Sequence, residues 1–287
     1  MRKFTTRLLT VVAVGSVAFT ACNKENDPTA TEITSADVQM VNNDVVVDAE
    51  FENAEAFALQ NMSSSNNNFR VTEGGPKVED WVIQAGSISF VLNFEGVMIE
   101  ESEFAGKIAV VASFESLQEA VAGKLSLVTD FQDYTVDGVV LNGTRTRTFT
   151  AVEGEGSVYD VTLEDGSITF ADGSTASRSA AWTLTAGTLL DSETPRTLVG
   201  TAEGVNKAGV SYKTTVDSET PVASTLACDI AEKMFWLPTS GQKSIEADGK
   251  TLTVDFGEGT CDKLAVVSLV VGDSTITKEI SLDRWSK

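Results

Sequence analysis

Gly143-Thr-Arg-Thr-Arg-Thr-Phe-Thr150 sets threonine against a longer side chain at every second position. A period of two puts Arg145, Arg147 and Phe149 on one face of an extended strand and the threonines on the other. The signature recurs on both sides of this stretch. Ser87–Phe94, Lys107–Phe114 and Lys124–Thr129 precede it. Val158–Leu163, Ser167–Phe170, Ser179–Thr185, Thr197–Ala202, Val210–Val216, Thr251–Phe256, Leu264–Val271 and Thr275–Leu282 follow. Between them lie Asp137-Gly138, Asn142-Gly143, Asp165-Gly166, Asp172-Gly173, Asp248-Gly249 and Gly272-Asp273. Such pairs supply the positive φ angles of tight hairpin turns. No helical period separates the strands, which argues against a parallel α/β sheet. Residues 81–287 are therefore expected to be mainly β: an antiparallel multi-stranded sheet, sandwich or open barrel. Phe90–Gly96 leading to Lys107–Val111 is echoed by Thr253–Gly259 leading to Lys263–Val267. The echo leaves open two related β units or a chance likeness between hairpins.

Helical spacing is confined to residues 36–62, where Val38, Val41, Val45, Ala49 and Phe51 recur at about one turn. A short N-terminal helix is expected there, capped by Thr34 or Ser35, with the β-branched Val45-Val46-Val47 as an interruption. Residues 63–80, with Ser63-Ser-Ser-Asn-Asn-Asn68 and Gly74-Gly-Pro76, read as a linker.

Upstream, Arg2, Lys3 and Arg7 precede the uncharged run Leu8–Phe19. As a helix that run reaches about 18 Å, against the ~30 Å of a bilayer's hydrocarbon core. It reads as the apolar part of a signal peptide over residues 1–21. Phe19-Thr-Ala-Cys22 resembles the lipobox of bacterial lipoproteins, with Phe19 standing where leucine is usual. The resemblance implies a diacylglyceryl group on Cys22, cleavage just before it, and a membrane partner reached through lipid. Residues 22–35 are polar and fit a flexible tether. Lys24-Glu25 resembles, in part, the signal that sends Bacteroidetes lipoproteins to the cell surface. The implied address is the cell envelope, as an outer-membrane lipoprotein displayed on the surface.

The chain carries 42 acidic and 21 basic residues, and loss of residues 1–21 removes three positive charges, taking the net charge from −21 to −24. Nucleic acid is excluded as a partner by repulsion from phosphate. Histidine is absent, which removes the commonest general base and metal ligand. Outside the cytoplasm Cys228 and Cys261 are expected to form a disulfide, worth roughly 3–4 kcal/mol by loop entropy. Two buried free thiols are the alternative.

Residues 85–280 also resemble a group of Bacteroidetes lipoproteins of unknown function. The likeness rests on Gly143-Thr-Arg-Thr, Asp165-Gly-Ser-Ile-Thr169, Gly200-Thr-Ala-Glu-Gly204 and Gly209-Val-Ser-Tyr212. It extends to Cys228, Pro238-Thr-Ser-Gly241 and Asp255-Phe-Gly-Glu-Gly-Thr-Cys-Asp262. It implies a localisation and a fold, and no activity.

Candidate sites are few. Asp255, Glu258 and Asp262 offer oxygen ligands to calcium, without EF-hand spacing; an acidic hairpin tip explains them equally. Arg145 and Arg147 on one strand face can grip a carboxylate or phosphate, or pair across strands with acids. Ser240-Gly-Gln-Lys243 matches the Ser-x-x-Lys of penicillin-binding enzymes but lacks their other elements. Trp81, Trp182, Trp236 and Trp285 can form a sugar platform or pack in the core. No cofactor is implied. A non-enzymatic binding, adhesive or structural module is expected, with a glycan or envelope protein as partner. The alternative is a carboxylate-based hydrolase of polysaccharide or envelope polymer.

Overall fold

The computed structural model describes residues 32–63, 75–99, 101–121, 124–153, 156–186, 195–232 and 236–282. The expected signal peptide, Cys22, most of the expected tether and Trp285 lie outside them. Three helices occur among these residues: α1 (Ser35–Ser63), α2 (Leu117–Val121) and α3 (Leu226–Glu232). The first strands are β1 (Lys77–Gln84), β2 (Ser87–Asn93), β3 (Val97–Ile99), β4 (Ser102–Ser113) and β5 (Ser126–Val136). Next come β6 (Val139–Glu153), β7 (Gly156–Thr169), β8 (Thr175–Ala186), β9 (Arg196–Val205) and β10 (Ser211–Val216). The last are β11 (Val222–Ser224), β12 (Ser240–Ala247), β13 (Lys250–Glu258), β14 (Leu264–Val271) and β15 (Ser274–Ser281).

All fifteen strands join one antiparallel sheet, thirteen of them in the order β1-β2-β4-β5-β6-β7-β8-β9-β10-β12-β13-β14-β15, with the short β3 paired to β4. Neighbours in space are neighbours in sequence, an up-and-down meander. β11 pairs with β9 and β12, so β10 and β11 are two pieces of one ladder position. Period two is realised literally: along β8, Ala176, Arg178, Ala180, Trp182 and Leu184 are buried while their neighbours face outward. Thr129, Arg145, Leu163, Ala180, Ala202, Thr214 and Ile245 pair in succession to make one inward row from β5 to β12.

What the row faces is α1. Its 29 residues span about 44 Å. Phe51 meets Phe131 of β5, Phe57 meets Phe104 of β4, and acids of the helix meet β6, β8, β12 and β13. Partners on so many strands mean that the sheet curls around the helix. The single apolar face expected from spacing is accordingly a correction: Val41, Val45, Val46, Val47, Phe51, Ala54 and Ala58 are all buried, around the circumference. The Val45–Val47 run interrupts nothing, because all three side chains are buried in the core. The cap is Thr34: its Oγ1 accepts the Asp37 N–H at 3.2 Å, while Asp37 accepts the Thr34 N–H at 2.8 Å, a reciprocal box.

Two expected turns are instead bulges. Strands β6 and β7 run straight through Asn142-Gly143 and Asp165-Gly166, with register shifts there. Asp165 has φ 51° and Gly143 φ 126°, so the positive φ that ends a strand in a hairpin here bends one. The two bulges abut: a Cβ on Gly143 would lie 2.8 Å from Gly166 Cα. The expected linker also ends early, since Lys77, Val78 and Glu79 already pair in β1 ahead of a bulge at Asp80.

Both edges are blunted against pairing with another chain. β1 carries its bulge and charges. On β15, Lys278 pairs with the buried Val267 and so points to the core side of the sheet.

Gly204 faces Arg178 across the ladder, and a Cβ there would lie 1.9 Å from the Ser177 carbonyl oxygen. Gly204→Ala is expected to lower unfolding free energy by about 2 kcal/mol or more, read from the urea midpoint.

Candidate functional site

Five acids of α1, Asp37, Asp44, Asp48, Glu52 and Glu55, recur every seven, four, four and three residues and form a stripe along the helix. Inward bases of the sheet meet it. Arg178 of β8 donates from Nη1 to Asp44 at 2.5 Å and to the Tyr212 hydroxyl at 2.9 Å, and from Nη2 to Asp48 at 2.7 Å. Lys243 of β12 pairs with the other Asp44 oxygen, and Thr214 Oγ1 donates to Asp44 at 2.7 Å. Arg145 contacts Glu52 and Glu55, and Arg147 donates to the same two at 3.2 and 2.8 Å. Lys250 reaches Asp37 at 3.2 Å.

Burial and neighbours set the protonation of these groups. Burial pushes the Asp44 carboxyl up, but Arg178 and Lys243 outweigh it and hold the group well below the usual range. Burial dominates at Asp48 and, with the Asp44 charge adding to it against Arg178, raises the group to about 6. Burial also works on Glu52, where Arg145 and Arg147 prevail and lower it. Arg145 itself is lowered to about 10 by burial. Splitting of two neighbouring acids is what carboxylate catalysis needs. The void beside Asp48 and Lys243, however, is about 10 Å³, room for one water.

The sequence candidates fall out as follows. Arg145 and Arg147 are turned inward onto the helix, so their carboxylate partners come from α1 and not from a neighbouring strand, and no ligand grip is left open to solvent. Asp255, Glu258 and Asp262 do not converge. Asp255 accepts from Gln242 and the Gly257 N–H, each at 2.8 Å, and Asp262 from Thr260 and the Leu264 N–H at 2.9 and 3.0 Å. Among the described residues no three His, Cys, Asp or Glu side chains are grouped to hold a metal ion; the calcium expectation is corrected to acidic residues that pin turns. Cys228 and Cys261 are bonded, with Cα atoms 5.3 Å apart, tying α3 to the β13–β14 turn. Nearby, Asp229 holds α3 to the sheet by accepting from Ser224 at 3.0 Å and the Leu237 N–H at 2.8 Å, and by pairing with Arg196. Ser240 and Lys243 project to opposite faces of β12, with Lys243 committed to Asp44. Trp182 and Trp236 are core, and Trp81 stacks on Phe90 with centroids 5.3 Å apart.

Where the sheet leaves α1 uncovered, a cleft of about 590 Å³ opens. One helix face, Glu50, Asn53 and Phe57, forms its back wall. Phe104 of β4, stacked on Phe57 at 5.6 Å, continues the floor with Tyr134 and Phe170. Ser102, Asp137 and Asp172 and the Lys207 side chain rim it. Asp137 accepts the Ser102 hydroxyl and the Glu103 N–H, each at 2.9 Å. Sequence reasoning missed this place, since its residues come from one helix, three strands and three turns far apart in the chain. This size suits a small ligand or one side chain of a larger one.

The chain matches no family model, no curated protein and no solved structure.

Two predictions follow from the buried stripe. Arg178→Met leaves Asp44 and Asp48 short of their shared cation and should cost about 3–5 kcal/mol in urea unfolding. Asp48, raised to about 6 in the fold from 3.8, binds more protons folded than unfolded, so its ionisation weakens the fold as pH rises from about 4.5 to 7. Asp48→Asn should flatten that segment of the stability profile and gain roughly 1–2 kcal/mol on the wild type between those limits. Parallel profiles for the two proteins would refute it.

Proposed function

We propose that this chain is a non-enzymatic binding module of the bacterial cell envelope, attached through lipid on Cys22 and presenting the α1 cleft to its partner. One observation carries the reading. The interior acids and bases are spent on holding α1 in the sheet, and of the open spaces of ligand size the one against α1 has an aromatic floor, while a second beside β11–β13 has no aromatic lining. A hydrolase needs substrate beside a split carboxylate pair; Asp44 and Asp48 have room for a water and none for a sugar ring. The Phe19–Cys22 resemblance supports the anchor, and Lys24-Glu25 supports display at the outer surface. The partner classes favoured by this address are an envelope protein or a glycan.

The anchor is tested by feeding an alkyne fatty acid to cells that make the chain. Wild type should be labelled and sediment with membranes; Cys22→Ser should be unlabelled and largely soluble. A Cys22→Ser protein that stays with the membrane fraction would sink the lipid attachment. For the module itself, immobilised envelope polymers and glycans should retain wild type without being shortened; steady polymer breakdown would favour the hydrolase.

A further inference from the structure

We propose that the α1 cleft recognises an organic cation on an apolar stem, such as the lysine or arginine side chain of a partner protein. The inference rests on reading the chain as a binding module and narrows what that module takes.

Among the described residues, two carboxylates at the rim of the cleft, Asp137 and Asp172, face one lysine, Lys207. In a concave, partly apolar surface such an excess repels anions and draws cations in. A neutral sugar would find aromatic faces but leave that field unmatched. A purely apolar ligand would have to strip water from the acids for nothing in return. An alkylammonium suits both parts: methylenes lie along Phe57 and Phe104, and the charge meets carboxylate and ring face.

The protein displays this chemistry on one of its own side chains. Lys207, in the β9–β10 turn, sets its ammonium 4.7 Å from the Phe170 ring centroid and 2.7 Å from Asp172 Oδ2. Lys207 and Ser174 together hold the Asp172 carboxyl well below its usual range. The pair is exposed, at 36% and 58% of the two side chains, so it opens at little cost. A ligand ammonium competes with Lys207 for the same ring and carboxylate, while Asn53, at the back wall, lies within the cleft to meet the ligand's polar backbone.

The full-length chain is titrated by calorimetry with Nα-acetyl-lysine methylamide, its uncharged norleucine counterpart and maltotriose. The lysine compound should bind about tenfold or more tighter than the other two. Asp172→Asn and Phe104→Ala should each weaken it several-fold, with circular dichroism showing both folded. Lys207→Ala should tighten it several-fold by removing the internal competitor, an effect that a merely structural lysine would not produce. Equal binding of the norleucine compound, or a Lys207→Ala protein that binds lysine no better, overturns the cation assignment. Maltotriose binding that needs Phe104 and exceeds lysine binding also overturns it, while keeping the cleft as the module's site. If no probe binds wild type or Lys207→Ala, the cation assignment and the cleft fall together.

Discussion

Arg178 holding Asp44 and Asp48 is the interaction on which the rest of the fold depends. Its guanidinium is buried and sits between acids one helical turn apart, with Tyr212 as a third acceptor. Ion pairs in such surroundings add little net stability over a well-packed apolar core, but breaking one leaves an uncompensated charge, which is severe. Their value here is registry. A helix with apolar residues all round has no preferred rotation or axial position in a greasy sleeve. Acids spaced along α1 and bases fixed on β6, β8, β12 and β13 leave one arrangement that satisfies all of them.

The sheet is shaped to make that arrangement possible. Gly166 and Gly204 flank Arg178 on either side in the ladder, where a Cβ would strike neighbouring backbone or Leu163. Gly143 and Gly166 sit at abutting bulges, and bulges bend strands. Curvature and charge pairing are thus one device. Removing the glycines would flatten or crowd the wall that presents the arginine. The disulfide and the Asp229 cluster do a separate job, clamping α3 beside β11 and β12.

Much of the architecture was legible in the chain. Period two across Gly143–Thr150 and its neighbours gave the strands, and Asp137-Gly138, Asp248-Gly249 and Gly272-Asp273 marked true hairpins. Asn142-Gly143 and Asp165-Gly166 misled because a positive φ serves a bulge as well as a turn, and only the ladder tells which. The spacing of Val38, Val41, Val45 and Ala49 found the helix but not its surroundings, since a stripe of acids normally means a solvated face. Here Asp44 and Glu55 are buried, a fact fixed by Arg147 and Arg178 more than ninety residues away. The cleft is less legible still: Phe57, Phe104, Phe170 and Lys207 meet only through curvature.

The position of α1 has a mechanical side. Twelve residues separate Cys22 from Ser35, so under the proposed lipid attachment a tug would arrive at the head of the central helix before reaching any strand. The component of such a load along the helix axis would strain the Asp37, Asp44, Asp48, Glu52 and Glu55 contacts together, in shear. A pull on the other terminus would peel β15 from β14 one hydrogen bond at a time.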